Sequence, residues 1–192
     1  MTKTRKVITA ITFMLILLIA GAEAQTHRFQ LALDLSYLAH RDSNYKDIYG
    51  SGSIFPELKA GIRLFQGLQV TGGFGYFKEK GTISGLEGED ADAESLQTYY
   101  NAGLEYLFEV SWSWTLKVSG EYVWVDLEES AFAEVIKASS NAYRVGAGFI
   151  YDIGHGFFLE FCGAYTFGDD TVNGNDIKLG GFQGGLGLGF RL

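Results

Sequence analysis

The chain has one cysteine, Cys162, and one proline, Pro56, among 192 residues. A lone cysteine excludes an intramolecular disulfide, and without a second one no cysteine-based zinc spacing can be drawn. Scarce proline leaves nearly every backbone N–H free to enter a hydrogen-bond ladder. Bases are in the minority, 15 Lys and Arg against 23 Asp and Glu, and the resulting charge of −8 weighs against nucleic acid as a partner. Long apolar runs are also lacking. After residue 24 nothing approaches the roughly 18 consecutive apolar residues of a transmembrane helix.

The exception lies at the start. Lys3, Arg5 and Lys6 precede the apolar run from Val7 to Ala20, and Ala22-Glu23-Ala24 follow it. That order of base, grease and small residues is a Sec-type signal peptide with cleavage after Ala24. Its apolar part, about 14 residues, is short of the roughly 20 that span a bilayer. The expected organisation is a leader over 1–24 and one domain over 25–192, whose charge is −10 once the leader's three bases and Glu23 are gone.

What the sequence does have is glycine, 26 residues, and an aromatic fraction of 15%. Both suit twisted strands and turns better than helices. From Arg28 onward the hydrophobic period is two. Eight segments carry it: Arg28–Leu38, Ile54–Phe65, Leu68–Phe77, Thr98–Phe108, Ser113–Val125, Asn141–Tyr151, Phe157–Phe167 and Phe182–Leu192. In the first, Phe29, Leu31, Leu33, Leu35 and Tyr37 oppose Gln30, Ala32, Asp34 and Ser36. Each segment is about ten residues, enough for a tilted strand to cross the hydrocarbon layer.

Connectors alternate between short (Gln66-Gly67, Glu109 to Trp112, Asp152 to Gly156) and long (39–53, 78–97, 126–140, 168–181). Long and short ends therefore fall on opposite rims. The pattern predicts an all-β fold: a closed antiparallel transmembrane β-barrel, an up-and-down meander of about eight strands. Short turns face the periplasm, and four long loops face outward.

A soluble barrel also alternates, so residue sorting must decide which face meets lipid. On the apolar face, aromatics gather at strand ends. Tyr37, Tyr76, Tyr100, Trp124, Tyr143 and Phe167 mark one rim; Phe29, Tyr106, Phe108, Trp114, Tyr151 and Phe190 mark the other. Two such girdles around an aliphatic band match the cross-section of a bilayer. The opposite face carries many glycines, as a narrow lumen requires. It also carries Asp34, Glu57, Glu105, Glu121 and Glu160 against Lys59, Arg63, Lys117, Arg144 and Arg191, five of each sign. Balanced ions in a tight interior predict mutual neutralisation, a polar plug rather than a channel.

These residues resemble the small outer-membrane barrels, of the OmpA transmembrane-domain, OmpX/Ail and opacity-protein type. The closing Gly187-Leu188-Gly189-Phe190-Arg191-Leu192 looks like the C-terminal strand signal read by the outer-membrane assembly machinery, with Leu192 where that signal usually has an aromatic. The resemblance implies location in the outer membrane of a Gram-negative bacterium. It also implies as partners the membrane lipid with its lipopolysaccharide, the assembly machinery during biogenesis, and an extracellular ligand at the loops. It fixes architecture better than task, because such barrels serve adhesion, structural and immune-evasion roles.

The chemistry read from the sequence is sparse. A barrel enzyme acting on lipid A needs a histidine base beside a serine at the rim, and only His40-Arg41-Asp42-Ser43 gathers those types. The His-x-Ser signature of the deacylases is absent, and the stretch reads as a solvated loop. The acidic stretch Glu87-Gly88-Glu89-Asp90-Ala91-Asp92-Ala93-Glu94 lacks the ordered spacing of a calcium loop and reads as solvated as well. Cys162 reads as a small lumen filler. No catalytic, cofactor or metal residues are assigned. The expected role is a structural or surface-interaction scaffold displaying four external loops, the alternatives being a narrow porin-like pore and, behind it, a lipid A-modifying enzyme.

Overall fold

The computed structural model describes residues 28–84, 90–131, 134–172 and 175–192. The leader expected over 1–24 and residues 87–89 of the acidic stretch lie outside them. Eight strands follow one another: β1 (Phe29–His40), β2 (Gly52–Phe65), β3 (Leu68–Ser84), β4 (Asp90–Glu109), β5 (Trp114–Ala131), β6 (Glu134–Gly154), β7 (Phe157–Val172) and β8 (Asn175–Arg191). One short helix, α1 (Ser43–Tyr49), sits between the first two. Each strand pairs antiparallel with its chain neighbours, and β1 pairs with β8 to close the barrel. At the closure Phe29 and Leu192 exchange backbone bonds of 3.1 and 2.8 Å, so no edge is left open at the short-turn rim.

The short turns sit where the connector spacing predicts. Between β2 and β3, Gln66 and Gly67 take φ of 37° and 86°, the mirror-image two-residue turn whose twist matches the strands it joins. The long connectors differ from expectation. Strands β3 to β8 run through most of 78–97, 126–140 and 168–181, so these regions are hairpin arms rather than loops. Once a strand leaves the bilayer its outer face no longer needs apolar residues. The alternation fades there while the backbone ladder continues. At about 3.3 Å per residue and a tilt near 40°, the 21 residues of β6 rise roughly 50 Å, about twice the ~25 Å apolar band of such barrels.

The β1–β2 side of the barrel is low. The β2–β3 ladder stops at Glu57 with Gly75, although β3 continues to Ser84 beside β4. Pro56, with no N–H to give, is the next residue of β2. Helix α1 fills the notch above, packed on β3 so closely that a Cβ on Gly81 would lie 2.2 Å from the Ile48 carbonyl oxygen.

Burial sorts the two faces. Leu33 and Leu186, on the outside, are each 60% exposed, and the exposed apolar surface continues around the wall. A patch of that extent does not persist in water, so the wall faces lipid. No helix among the described residues is long and apolar enough to cross a membrane, which leaves the crossing to strands. Inside, two apolar layers bracket a polar middle. Toward the hairpins lie Leu38, Phe55, Phe77, Tyr99, Val123, Val125 and Ala142; toward the short turns lie Ala32, Leu107, Ile150 and Phe158.

Candidate functional site

The lumen is the first place where side chains converge. Arg144 of β6 is at its centre, 2% exposed. Its Nη1 lies 2.7 Å from Glu57 Oε1 and 3.2 Å from Glu121 Oε2, and its Nε donates to Thr166 Oγ1 at 3.1 Å. Thr166 donates in turn to Gln183 of β8, and Asn101 Nδ2 donates to Glu57 at 2.5 Å. Lys59 Nζ lies 3.0 Å from Asp34 and 3.5 Å from Glu57. A second group surrounds Lys117, which is paired with Glu160 and lies 3.4 Å from Glu105. Gln69 Nε2 closes it from β3, donating to Glu105 at 2.5 Å. All eight strands contribute a side chain. The cavity left among these groups is about 20 Å³, room for about one water.

Two of the ten sequence-predicted interior ions lie at the short-turn end of the lumen, apart from the central network. Arg191 sits near the short-turn rim, bonded to Asp152 at 2.7 Å and lying 4.8 Å over the Phe158 ring; Arg63, near the end of β2, lies within the field of Arg191, Glu109 and Asp152 at the same rim. The middle therefore holds Lys59, Lys117 and Arg144 against Asp34, Glu57, Glu105, Glu121 and Glu160, and the equal count of signs does not hold there. Asp34, Glu160 and Cys162 bring ligand atoms within 4.8 Å of one another, yet the two lysines already hold both carboxylates. Of the acidic stretch, Glu94 pairs with Lys78 across the β3–β4 ladder at 2.5 Å.

The aromatics named for the girdles, Tyr37, Tyr76, Tyr100, Tyr106, Trp114, Trp124, Tyr143 and Tyr151, are all exposed on the outer wall, and Phe190 is half-buried. They pack in local chains. Toward the hairpins, Tyr122 contacts Trp124 at 4.7 Å and Tyr143 at 5.4 Å between ring centres; toward the short turns, Tyr106 meets Phe108 at 4.5 Å and Trp114 meets Tyr151 at 4.9 Å.

The second place of convergence is the outer mouth, which sequence reasoning missed. The stretch His40-Arg41-Asp42-Ser43 is not a solvated loop. His40 is buried, with Nε2 2.6 Å from Ser53 Oγ and its ring between Tyr45 (4.6 Å) and Phe77 (5.4 Å). Asp42 caps α1, accepting from the Tyr45 amide at 3.0 Å, and accepts from the Lys178 amide of β8 at 2.9 Å. Arg41 pairs with Asp169 at 2.9 Å. The first connector is thus strapped across the mouth from β3 to β8. Beneath and beside it lies a largely apolar cavity of about 290 Å³ between α1 and the arms of β5, β6 and β8. Burial pushes the Tyr49 hydroxyl up to about 12 and that of Tyr45 higher still. Burial, with Asp42 nearby, raises the Glu129 carboxyl above its ordinary value. Asp170 is held lower by the hydroxyl of Ser140 and the amide of Thr171. The only sequence signal for this chamber is the aromatic pair Tyr45 and Tyr49, four apart and so on one helix face.

An eight-stranded meander with an apolar outer wall, two bands of interface aromatics and a bonded polar lumen defines a small integral outer-membrane β-barrel. The chain belongs to the outer membrane protein beta-barrel domain family, whose model matches residues 9–190. Its fold is similar to that of the Pseudomonas aeruginosa outer membrane protein OprG, with 12% identity over 86% of this chain and 96% of that one and a TM-score of 0.67. It is also similar to Neisserial surface protein A (12% identity, 85% and 97% covered, TM-score 0.62). A third likeness is to the N-terminal barrel of Pseudomonas aeruginosa OprF (14% identity, 87% and 100% covered, TM-score 0.52). No curated protein matches the chain in sequence.

Proposed function

We propose that this outer-membrane barrel is a closed platform, not a pore, and that its tall hairpins and strapped first connector form the surface through which it meets partners outside the cell. The observation that carries this reading is the lumen. Side chains from all eight strands cross it between two apolar layers, leaving a cavity of about 20 Å³. Ion flow through it would require breaking buried pairs, which costs several kcal/mol each. On this reading residues 1–24 are a leader removed after Ala24, the last strand addresses the chain to the assembly machinery, and the outer wall sits in lipid and lipopolysaccharide. No catalytic role is assigned in it: the His40–Ser53 pair is buried, and the nearby Asp42 carboxylate accepts the Tyr45 and Lys178 amides instead of orienting the imidazole. The test is planar-bilayer recording of the purified barrel. The reading expects no conductance steps, and stable steps in the unmodified protein would overturn it in favour of a narrow pore.

A further inference from the structure

The outer-mouth cavity is too ordered to be a gap between arms. Its floor and one wall are rings: His40 against Tyr45, and Tyr45 against Tyr49, with centres 4.6 Å apart in both contacts. Facing them are the aliphatic side chains of Leu127, Ile136 and Ile177. The volume, about 290 Å³, lies at the lower end of the roughly 300–1,000 Å³ of small-molecule sites, and the lining is mainly apolar as in such sites.

Carboxylates outnumber bases in the lining, Asp42 and Glu129 against Lys178. Glu79 lies on the inward face of β3, close enough to act on Tyr45. Both Asp42 oxygens accept backbone amides, which orients that carboxylate without neutralising it. Glu129 has no ion-pair partner among the described residues. Lys178 lines the cavity at its edge and Lys46 lies on α1 beside it; both are exposed, as Glu129 is. An apolar chamber with aromatic faces and a carboxylate rim is complementary to an organic cation with an apolar body. Tyrosine faces attract ammonium groups, and a bound cation relieves the repulsion between the two carboxylates.

We infer that the outer mouth is a binding site for small amphipathic ammonium compounds, the apolar body held between α1 and the arms of β5, β6 and β8 and the charged head directed to Glu129 and Asp42. This goes beyond the platform reading and is independent of whether the barrel conducts.

The experiment is titration calorimetry on the barrel in phosphatidylcholine nanodiscs, with empty discs subtracted, using octyltrimethylammonium, octanol and octanoate at submicellar concentrations. The ammonium is expected to bind saturably, octanol about fivefold more weakly and octanoate weakest. Glu129→Gln should weaken the ammonium about three- to fivefold, as for a part-exposed ion pair, and leave octanol unchanged. Ile177→Trp should remove the saturable component while the barrel keeps its heat-modifiable gel mobility. Equal affinities for the three probes, tightest binding of octanoate, no saturable component at all, or an unaltered ammonium affinity in Glu129→Gln would each overturn the assignment.

Discussion

Arg144→Met is the perturbation that tests the lumen most directly. The substitution keeps an unbranched apolar stem and removes the guanidinium. Glu57 retains the amide of Asn101 and, at 3.5 Å, Lys59. Glu121 loses its recorded ion-pair partner while staying buried. Removing one member of a buried pair costs about 3–5 kcal/mol, because the partner's charge is left uncompensated in low dielectric. Replacing the partner as well should return most of that. The double variant Arg144→Met/Glu121→Gln is therefore expected to be more stable than Arg144→Met alone, with a coupling of about 1–3 kcal/mol in the double-mutant cycle. The assay is reversible urea unfolding in lipid vesicles, followed by tryptophan emission and checked by heat-modifiable mobility. A cost below about 1 kcal/mol with zero coupling would mean that these ions are solvated as at a protein surface, and the account of a dry, bonded plug would be wrong.

Leu33→Arg tests the outer wall: Leu33 is 60% exposed, yet at mid-strand it faces lipid, so the same unfolding assay should register a loss of about 2–4 kcal/mol. An effect near zero would place that face in water. Gly189→Ala tests lumen packing. A Cβ there would lie 2.1 Å from the Phe158 ring, so a loss of about 1–3 kcal/mol is expected, and Phe158→Leu in the same chain should recover part of it. Alkaline titration tests the mouth. With its folded value raised from 10.0 to about 12, Tyr49 favours the native state up to about pH 10, and that contribution is lost as pH rises toward 12. Tyrosinate absorbance should show delayed ionisation that Tyr49→Phe diminishes; an unchanged curve would contradict it.

The strand core of the fold was legible because lipid imposes a rule on every residue it touches. From Phe29 to Tyr37 each second side chain meets hydrocarbon, and its neighbours meet a narrow lumen. That two-sided constraint leaves a period of two in the sequence. Above the upper girdle the constraint stops. Glu128 with Lys137 and Asp126 with Ser139 are cross-strand partners in water, where polar residues on either face cost little, so the arms of β5 and β6 read as loop although their ladder is unbroken.

The lumen was legible in residue type but not in layer. Alternation puts Phe55, Phe77, Tyr99 and Phe158 on the inward face along with the ions, and nothing local says that apolar residues collect at two depths with the charges between them. Depth depends on stagger between strands, which adds up around the barrel: Glu57 is level with Gly75 and Tyr99, whereas Arg144, its ion-pair partner, is level with Glu121 and Thr166. A residue's height along its own strand therefore does not identify its neighbours across the lumen. The same stagger explains the mouth. Tyr45 and Tyr49 are recognisable as one face of a short helix, but what they face, Leu127 and Glu129 from β5 and Ile177 from β8, is set by closure of the ring. Sites assembled by closure are where a sequence-only reading of a barrel is weakest, and in this protein both the plug and the mouth chamber are sites of that kind.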